Sequence, residues 1–144
     1  MQKLAKADAN ALVDYYQLKL KGTTKPNNNY KIEEDYLIVE PETTLEKIQD
    51  QYKGAKLTGE LIATGLKIAI EEKDYTIIKL GDANGDGIIN SGDLLKIQKH
   101  LLNVISLNNT PNAIAADANR DKTINSGDLL KIQKYLLGVG RIEL

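Results

Sequence analysis

Oxygen-bearing side chains recur in the C-terminal half of this 144-residue chain at a spacing that suits a hard cation. Asp82, Asn84, Asp86, Asn90 and Asp93 fall at positions 1, 3, 5, 9 and 12 of a 12-residue segment. Asp117, Asn119, Asp121, Asn125 and Asp128 repeat the pattern 35 residues later. Calcium takes about six to eight oxygens at ~2.3–2.6 Å, and a short loop of this spacing wraps around it. Position 7, Ile88 or Thr123, would contribute its backbone carbonyl alone. Magnesium demands stricter octahedral geometry and keeps its waters, so the acid-rich loop favours calcium, two ions in all. The bland alternative is an Asp/Asn-rich surface turn that binds nothing. Two copies in matched register, each with a carboxylate at position 12, argue against it.

The sixth position must turn sharply, which Gly does without steric cost. The first loop has Gly87 there and the second Lys122. A left-handed non-Gly residue costs on the order of 1 kcal/mol, so the second loop should be the weaker or more strained site. An apolar residue follows at position 8, Ile89 or Ile124, where the two loops could pair in a small β-bridge.

The loops belong to a longer repeat. Ile89–Lys99 and Ile124–Lys134 are identical over 11 residues, and Asp82-Ala83-Asn84 matches Asp117-Ala118-Asn119. Each loop feeds a helix, with Asn90 and Asp93, or Asn125 and Asp128, spaced for a cap. The spacing predicts a first helix from about Asp93 to Asn103. Its apolar stripe is Leu94, Ile97 and Leu101, with Leu95 and Leu102 beside it. Leu129, Ile132, Leu136, Leu130 and Leu137 repeat this, and Gly138 is a good stop. An ordinary EF-hand has a helix before its loop as well. Here Tyr75–Leu80 precedes the first loop and reads as a strand, and Pro111–Ala116 leaves room for one turn of helix before the second. The units are loop then helix, which argues against a sensor that works by opening a helix pair.

Gly-Asp-Ala-Asn-Gly-Asp-Gly-Ile-Ile-Asn-Ser-Gly-Asp-Leu-Leu-Lys-Ile-Gln-Lys-His-Leu-Leu, with its duplicate, resembles the repeat of the dockerin family over residues 81 to about 140. The resemblance implies an all-α, pseudo-twofold, two-calcium module (81–144, repeats 82–103 and 117–138). It also implies a cohesin domain of a scaffold or surface protein as partner. Carried over residue by residue, the partner-reading positions are Ser91, Gly92, Gln98, Lys99 and Asn103. Their counterparts are Ser126, Gly127, Gln133, Lys134 and Gly138. Ser-Gly stands where well-known members carry Ser-Thr. The near-identity of the two faces resembles members that dock either way round. His100, the only histidine, falls where the second copy has Tyr135, and reads as a packing or partner residue.

Residues 25–80 read as a small α+β module. Strands are expected around Tyr36–Val39, a helix over about Thr44–Tyr52 behind a Thr43/Glu46 capping box, and a hairpin of Leu66–Ile70 and Tyr75–Leu80 turning at Glu71–Asp74. Thr64–Ile68 and Tyr75–Leu80 resemble the module that precedes dockerins in Firmicute surface proteins. Its last strand enters Gly81-Asp82 without a linker, so the two units should pack together. Residues 1–24 read as a helical segment or the tail of a preceding domain plus linker, and the chain as a piece of a longer parent.

Charge excludes other classes. Residues 1–80 carry 13 acids and 12 bases, and the remainder 7 of each, without the basic excess of a nucleic-acid binder. There is no Cys for thiolate zinc, disulfides or nucleophilic catalysis, and no apolar run of ~18 residues for membrane insertion. No triad, phosphate loop or acid–base pair appears, so the chain reads as non-catalytic. The leading expectation is a calcium-dependent adhesion module, monomeric when unbound. It would anchor a secreted or cell-surface, carbohydrate-active protein in a larger complex. The alternative is a calcium-stabilised structural cap with no outside partner. Calcium should supply much of the folding free energy of residues 81–144, leaving residues 30–80 largely intact on its removal.

Overall fold

The computed structural model describes residues 30–144, so the expectations for residues 1–24 lie outside the described residues. Aromatic and β-branched residues form the first hairpin, Tyr30–Glu33 (β1) and Tyr36–Val39 (β2), paired antiparallel with Glu33 opposite Tyr36. Helix α1 follows at Leu45–Gln51. Its cap is Thr44, whose side chain accepts from Lys47 N, and not the expected Thr43. Thr43 is buried instead, its N–H donating to the Glu40 carbonyl at 3.0 Å, which leaves the next residue to cap. Lys56–Leu57 (β3), Lys67–Ile70 (β4) and Lys73–Lys79 (β5) complete a five-stranded sheet of order β1-β2-β5-β4-β3. The β2–β5 pair is parallel and the others antiparallel.

The β4–β5 turn is shorter than its sequence suggests. Ile70 pairs with Lys73, so Lys73 and Asp74 belong to β5 and only Glu71-Glu72 turn. Both have left-handed backbones, φ 51° and 68°. Two-residue hairpins favour such turns because they match strand twist, but Asn-Gly fits them far better than Glu-Glu. Replacing Glu71-Glu72 by Asn-Gly is expected to raise stability by about 1 kcal/mol and the melting temperature by a few degrees in calorimetry. No change would mean that the strain is relaxed in solution.

Side-chain alternation divides the sheet between two cores. Leu37, Val39, Ile68 and Ile77 face α1 through Ile48. Ile38 and Ile78 face the other way, into a cluster with Leu80, Ile97, Ala115, Ala116 and Ile132. The latter come from the second half, whose helices are Ser91–Leu101 (α2), Pro111–Ala116 (α3) and Ser126–Leu136 (α4). The chain passes from β5 into the first loop with Leu80 N–H on the Val39 carbonyl and Gly81 N–H on the Ala115 carbonyl, both 2.9 Å. Ile142 is buried in the same cluster and Leu144 N–H reaches Glu40 Oε1 at 2.9 Å. The two halves therefore share one core, and residues 30–80 are not closed on themselves.

Helix α2 starts two residues earlier than the spacing predicts, because Asn90 is its cap. It ends with Asn103 left-handed (φ 61°), Val104 N–H on the Lys99 carbonyl and Asn103 N–H on that of His100. This is a Schellman closure, repeated at Gly138 with Val139 on Lys134. The expected stripe is only partly inside: Ile97 and Ile132 are fully buried, while Leu95, Leu101 and Leu102 are exposed, as are Leu130, Leu136 and Leu137. No bridge joins the loops at Ile89 and Ile124; both side chains pack on the shared core instead.

Candidate metal centres

Three carboxylates meet in each loop. Oxygens of Asp82, Asp86 and Asp93 lie within 4.8 Å of one another, as do those of Asp117, Asp121 and Asp128. The local backbone holds them. Asp82 Oδ1 accepts from Gly85 N and Asp86 N (3.0 and 3.1 Å), and its Oδ2 from Gly87 N (3.0 Å). Asp117 accepts likewise from Asp121 N and Lys122 N (3.2 and 2.7 Å). The position-12 acids do two tasks. Asp93 accepts from Asn84 N across the loop and from Asn90 N at the helix start (3.1 and 2.8 Å). Asp128 does the same with Asn119 N and Asn125 N (3.2 and 2.8 Å). With Asn90 and Asn125 accepting from the first turn, both helices carry full capping boxes, so the loop ends where the helix begins.

The donor set is all oxygen, which fits calcium or another hard cation and not a thiophilic one. Burial fits too. Asp82, Asp93 and Asp128 are buried acids whose protonation is favoured by desolvation. It pushes Asp93 up to about 6, against the backbone hydrogen bonds from Asn90 and Asn84 that favour its charged form. A divalent ion among these groups would favour their charged forms.

The two loops differ at their turns. Gly85 and Gly87 have φ 78° and 84°, and the aligned Arg120 and Lys122 adopt φ 62° and 71°. The second loop thus carries two strained residues where the glycine-at-six rule exposes one. Arg120 is visible in the repeat as the partner of Gly85, though the ligand pattern does not single it out. Its Nη2 donates to Glu33 Oε1 and Oε2 of β1 at 3.0 and 3.1 Å. Lys31 and Arg120 together hold Glu33 below the usual carboxylate range. Lys122 N–H bonds Asp117, but its side chain is in solvent. Lys122→Gly is expected to tighten the second site about fivefold, the equivalent of ~1 kcal/mol of relieved strain, in calcium calorimetry.

The predicted partner-reading residues separate into two groups. Ser91, Gln98, Lys99, Asn103 and their counterparts Ser126, Gln133, Lys134, Gly138 are exposed, whereas Gly92 and Gly127 are half-buried beneath the cap asparagines. The sequence reading missed the apolar residues between them. Leu95 and Leu130 are both 51% exposed, Leu102 and Leu137 73% and 76%, and Val104 and Val139 66% and 71%. His100 is half-buried and its Nδ1 accepts from Leu107 N at 3.2 Å, a packing role.

Two acid-rich loops of this spacing, the first entered from strand β5, the second from the short helix α3, and each leading into a capped helix, define a tandem loop–helix module. Residues 80–137 match the family model of the dockerin type I domain, so a dockerin domain is present in this part of the chain. Dockerin domains are non-catalytic, bind calcium and engage cohesin domains. No curated protein and no solved structure matches the chain.

Proposed function

We propose that residues 81–144 fold around two calcium ions and dock, through the exposed sides of α2 and α4, onto a cohesin domain. Docking anchors a secreted or cell-surface, carbohydrate-active parent protein in a larger complex. Asp82, Asn84, Asp86, Ile88, Asn90 and Asp93 hold the first ion, with Ile88 giving its carbonyl. Asp117, Asn119, Asp121, Thr123, Asn125 and Asp128 hold the second. The observation that carries the docking half of the reading is the duplicated apolar ribbon. A monomer has no folding reason to keep six large aliphatic side chains wet, in two sets of nearly equal exposure, beside polar residues that are themselves duplicated. Calcium's role is to fix the start of each helix, and hence that ribbon.

A second reading, the calcium-stabilised cap, is favoured by one observation: the helices bury Ile38 and Ile78 of the sheet. The two are separated by immobilising the full chain and presenting cohesin modules with calcium and with chelator. Binding in calcium and none in chelator is expected. Failure of every cohesin to bind a calcium-loaded chain would leave the cap reading standing.

A further inference from the structure

The first loop is tied to the sheet's surroundings at a ligand carboxylate, and the second is tied to the sheet by the Arg120 side chain. Asp82 Oδ2 accepts a hydrogen bond from Thr64 N at 2.9 Å, a donor outside the loop, and Asp82 is fully buried. Thr64 is fixed in turn: Lys79 N donates to its hydroxyl at 3.0 Å and the hydroxyl to the Lys79 carbonyl at 3.2 Å. Above the turn glycine the space is tight. A Cβ on Gly87 would lie 2.1 Å from Leu61 Cδ1 and 3.1 Å from the Ile62 carbonyl oxygen. Lys79 Nζ donates to the Gly87 carbonyl at 2.6 Å. The second loop has no such roof. Asp117 and Lys122 line an open cleft of about 990 Å³, and its link to the sheet is the Glu33–Arg120 pair.

Resting on the calcium reading above, we infer that the buried Ile62–Thr64 segment and Lys79 form a fixed wall that pre-shapes the first loop. The first loop then fills at lower calcium than the second, and the α2 side is ready for a partner before the chemically equivalent α4 side. Thr64 is a positioning residue: it holds Asp82 through its backbone, and its hydroxyl holds that backbone in place. An ion entering the first loop finds its position-1 carboxylate already oriented. An ion entering the second finds Asp117 held by its own loop alone, through Asp121 N and Lys122 N, beside two left-handed side-chain-bearing residues.

Calcium calorimetry on the full chain tests this with single-loop variants. Asp128→Ala, which keeps the first loop, is expected to bind at least tenfold more tightly than Asp93→Ala, which keeps the second. A gap of about twofold or more should remain when Lys122→Gly removes turn strain from the second loop. Adding Thr64→Val to Asp128→Ala removes the hydroxyl's two bonds to the Lys79 backbone and frees the Thr64 N–H to move off Asp82. Binding should weaken by up to about tenfold, the cost of roughly one neutral hydrogen bond, and Thr64→Ser should restore it. Thr64→Val added to Asp93→Ala should change nothing. Equal affinities of the two single-loop chains, or equal loss at both loops on Thr64→Val, overturns the wall. Absence of any calcium heat in the unaltered chain overturns the calcium reading itself. If Thr64→Val disturbs the sheet, as circular dichroism would report, the comparison of the single-loop chains decides.

Discussion

Chelating calcium is expected to remove most of the helical signal of this protein and to loosen the sheet with it. Each loop gathers three carboxylates within 4.8 Å, and Asp82, Asp93 and Asp128 are buried. Without a cation such groups repel one another and are poorly solvated. Because a preformed site does not exist in the unfolded chain, ion affinity is folding free energy. Two sites filled at a thousand times their dissociation constants contribute about 8 kcal/mol, equivalent to a melting temperature lower by roughly 20 °C in chelator. The sequence suggests that residues 30–80 would stand alone. The shared core argues otherwise, since Ile38 and Ile78 are covered by the cluster that α2, α3 and α4 complete. Far-UV circular dichroism follows the helices, and hydrogen exchange at Ile38 and Ile78 follows the sheet. Undiminished helix in chelator would sink the expectation. Lost helix with unchanged exchange at these two residues would restore the independent sheet.

Acid acts in opposite directions on the two forms. Asp93 titrates near 6 in the folded, calcium-free chain, above the ordinary carboxylate value of 3.8, because burial disfavours its charge. Asp82 and Asp128 shift the same way for the same reason. A raised acid binds its proton more tightly folded than unfolded. The calcium-free protein is therefore expected to lose stability as pH rises from about 4 to 6, and to gain it on acidification through that window. With calcium bound, protons and the ion compete for the same oxygens, so stability falls as pH drops below about 6. Thermal melts at several pH values, with calcium and with chelator, should give slopes of opposite sign. Parallel slopes would place the titrating groups outside the ion sites.

What could be read from the sequence followed from side-chain identity at short range. Asp at loop positions 1, 5 and 12 marks where three carboxylates gather, and Asn90 and Asn125 mark the helix starts. Features set by long-range packing were not legible. Nothing near Thr64 marks it as a neighbour of Asp82, because their approach depends on the register in which β4 and β5 pair. The hairpin turn was misplaced because Glu71-Glu72 carries none of the Gly or Asn that left-handed residues usually require. Leu95, Leu101 and Leu102 read as core because apolar residues at helical spacing usually are. Only the packed structure separates Ile97, which is buried, from leucines that are not. Arg120 lies between these cases. Its alignment with Gly85 is visible in the repeat, but its bond to Glu33 requires the fold.

Those wet leucines give the second large expectation. Replacing Leu102 or Leu137 singly by Glu should change cohesin affinity by no more than about threefold, while replacing both should weaken it at least a hundredfold. The asymmetry follows from duplication. Leu95, Leu102 and Val104 on one helix and Leu130, Leu137 and Val139 on the other are exposed almost equally. They are flanked by the same Ser, Gln and Lys residues, so a partner excluded from one side can use the other. Losing one of two equivalent modes halves the population of competent orientations, a factor of about two. Losing both places a carboxylate in each apolar contact, and truncating a central apolar anchor alone costs about 2–4 kcal/mol, or roughly 30- to 1,000-fold. Neither leucine is a candidate ligand, so calcium calorimetry of the double variant should match the unaltered chain, which separates lost docking from lost folding. If one single substitution already abolishes binding, only that helix docks and the second face serves some other contact. If the double variant binds normally, the ribbon is not the partner surface, and its exposure is left without a function.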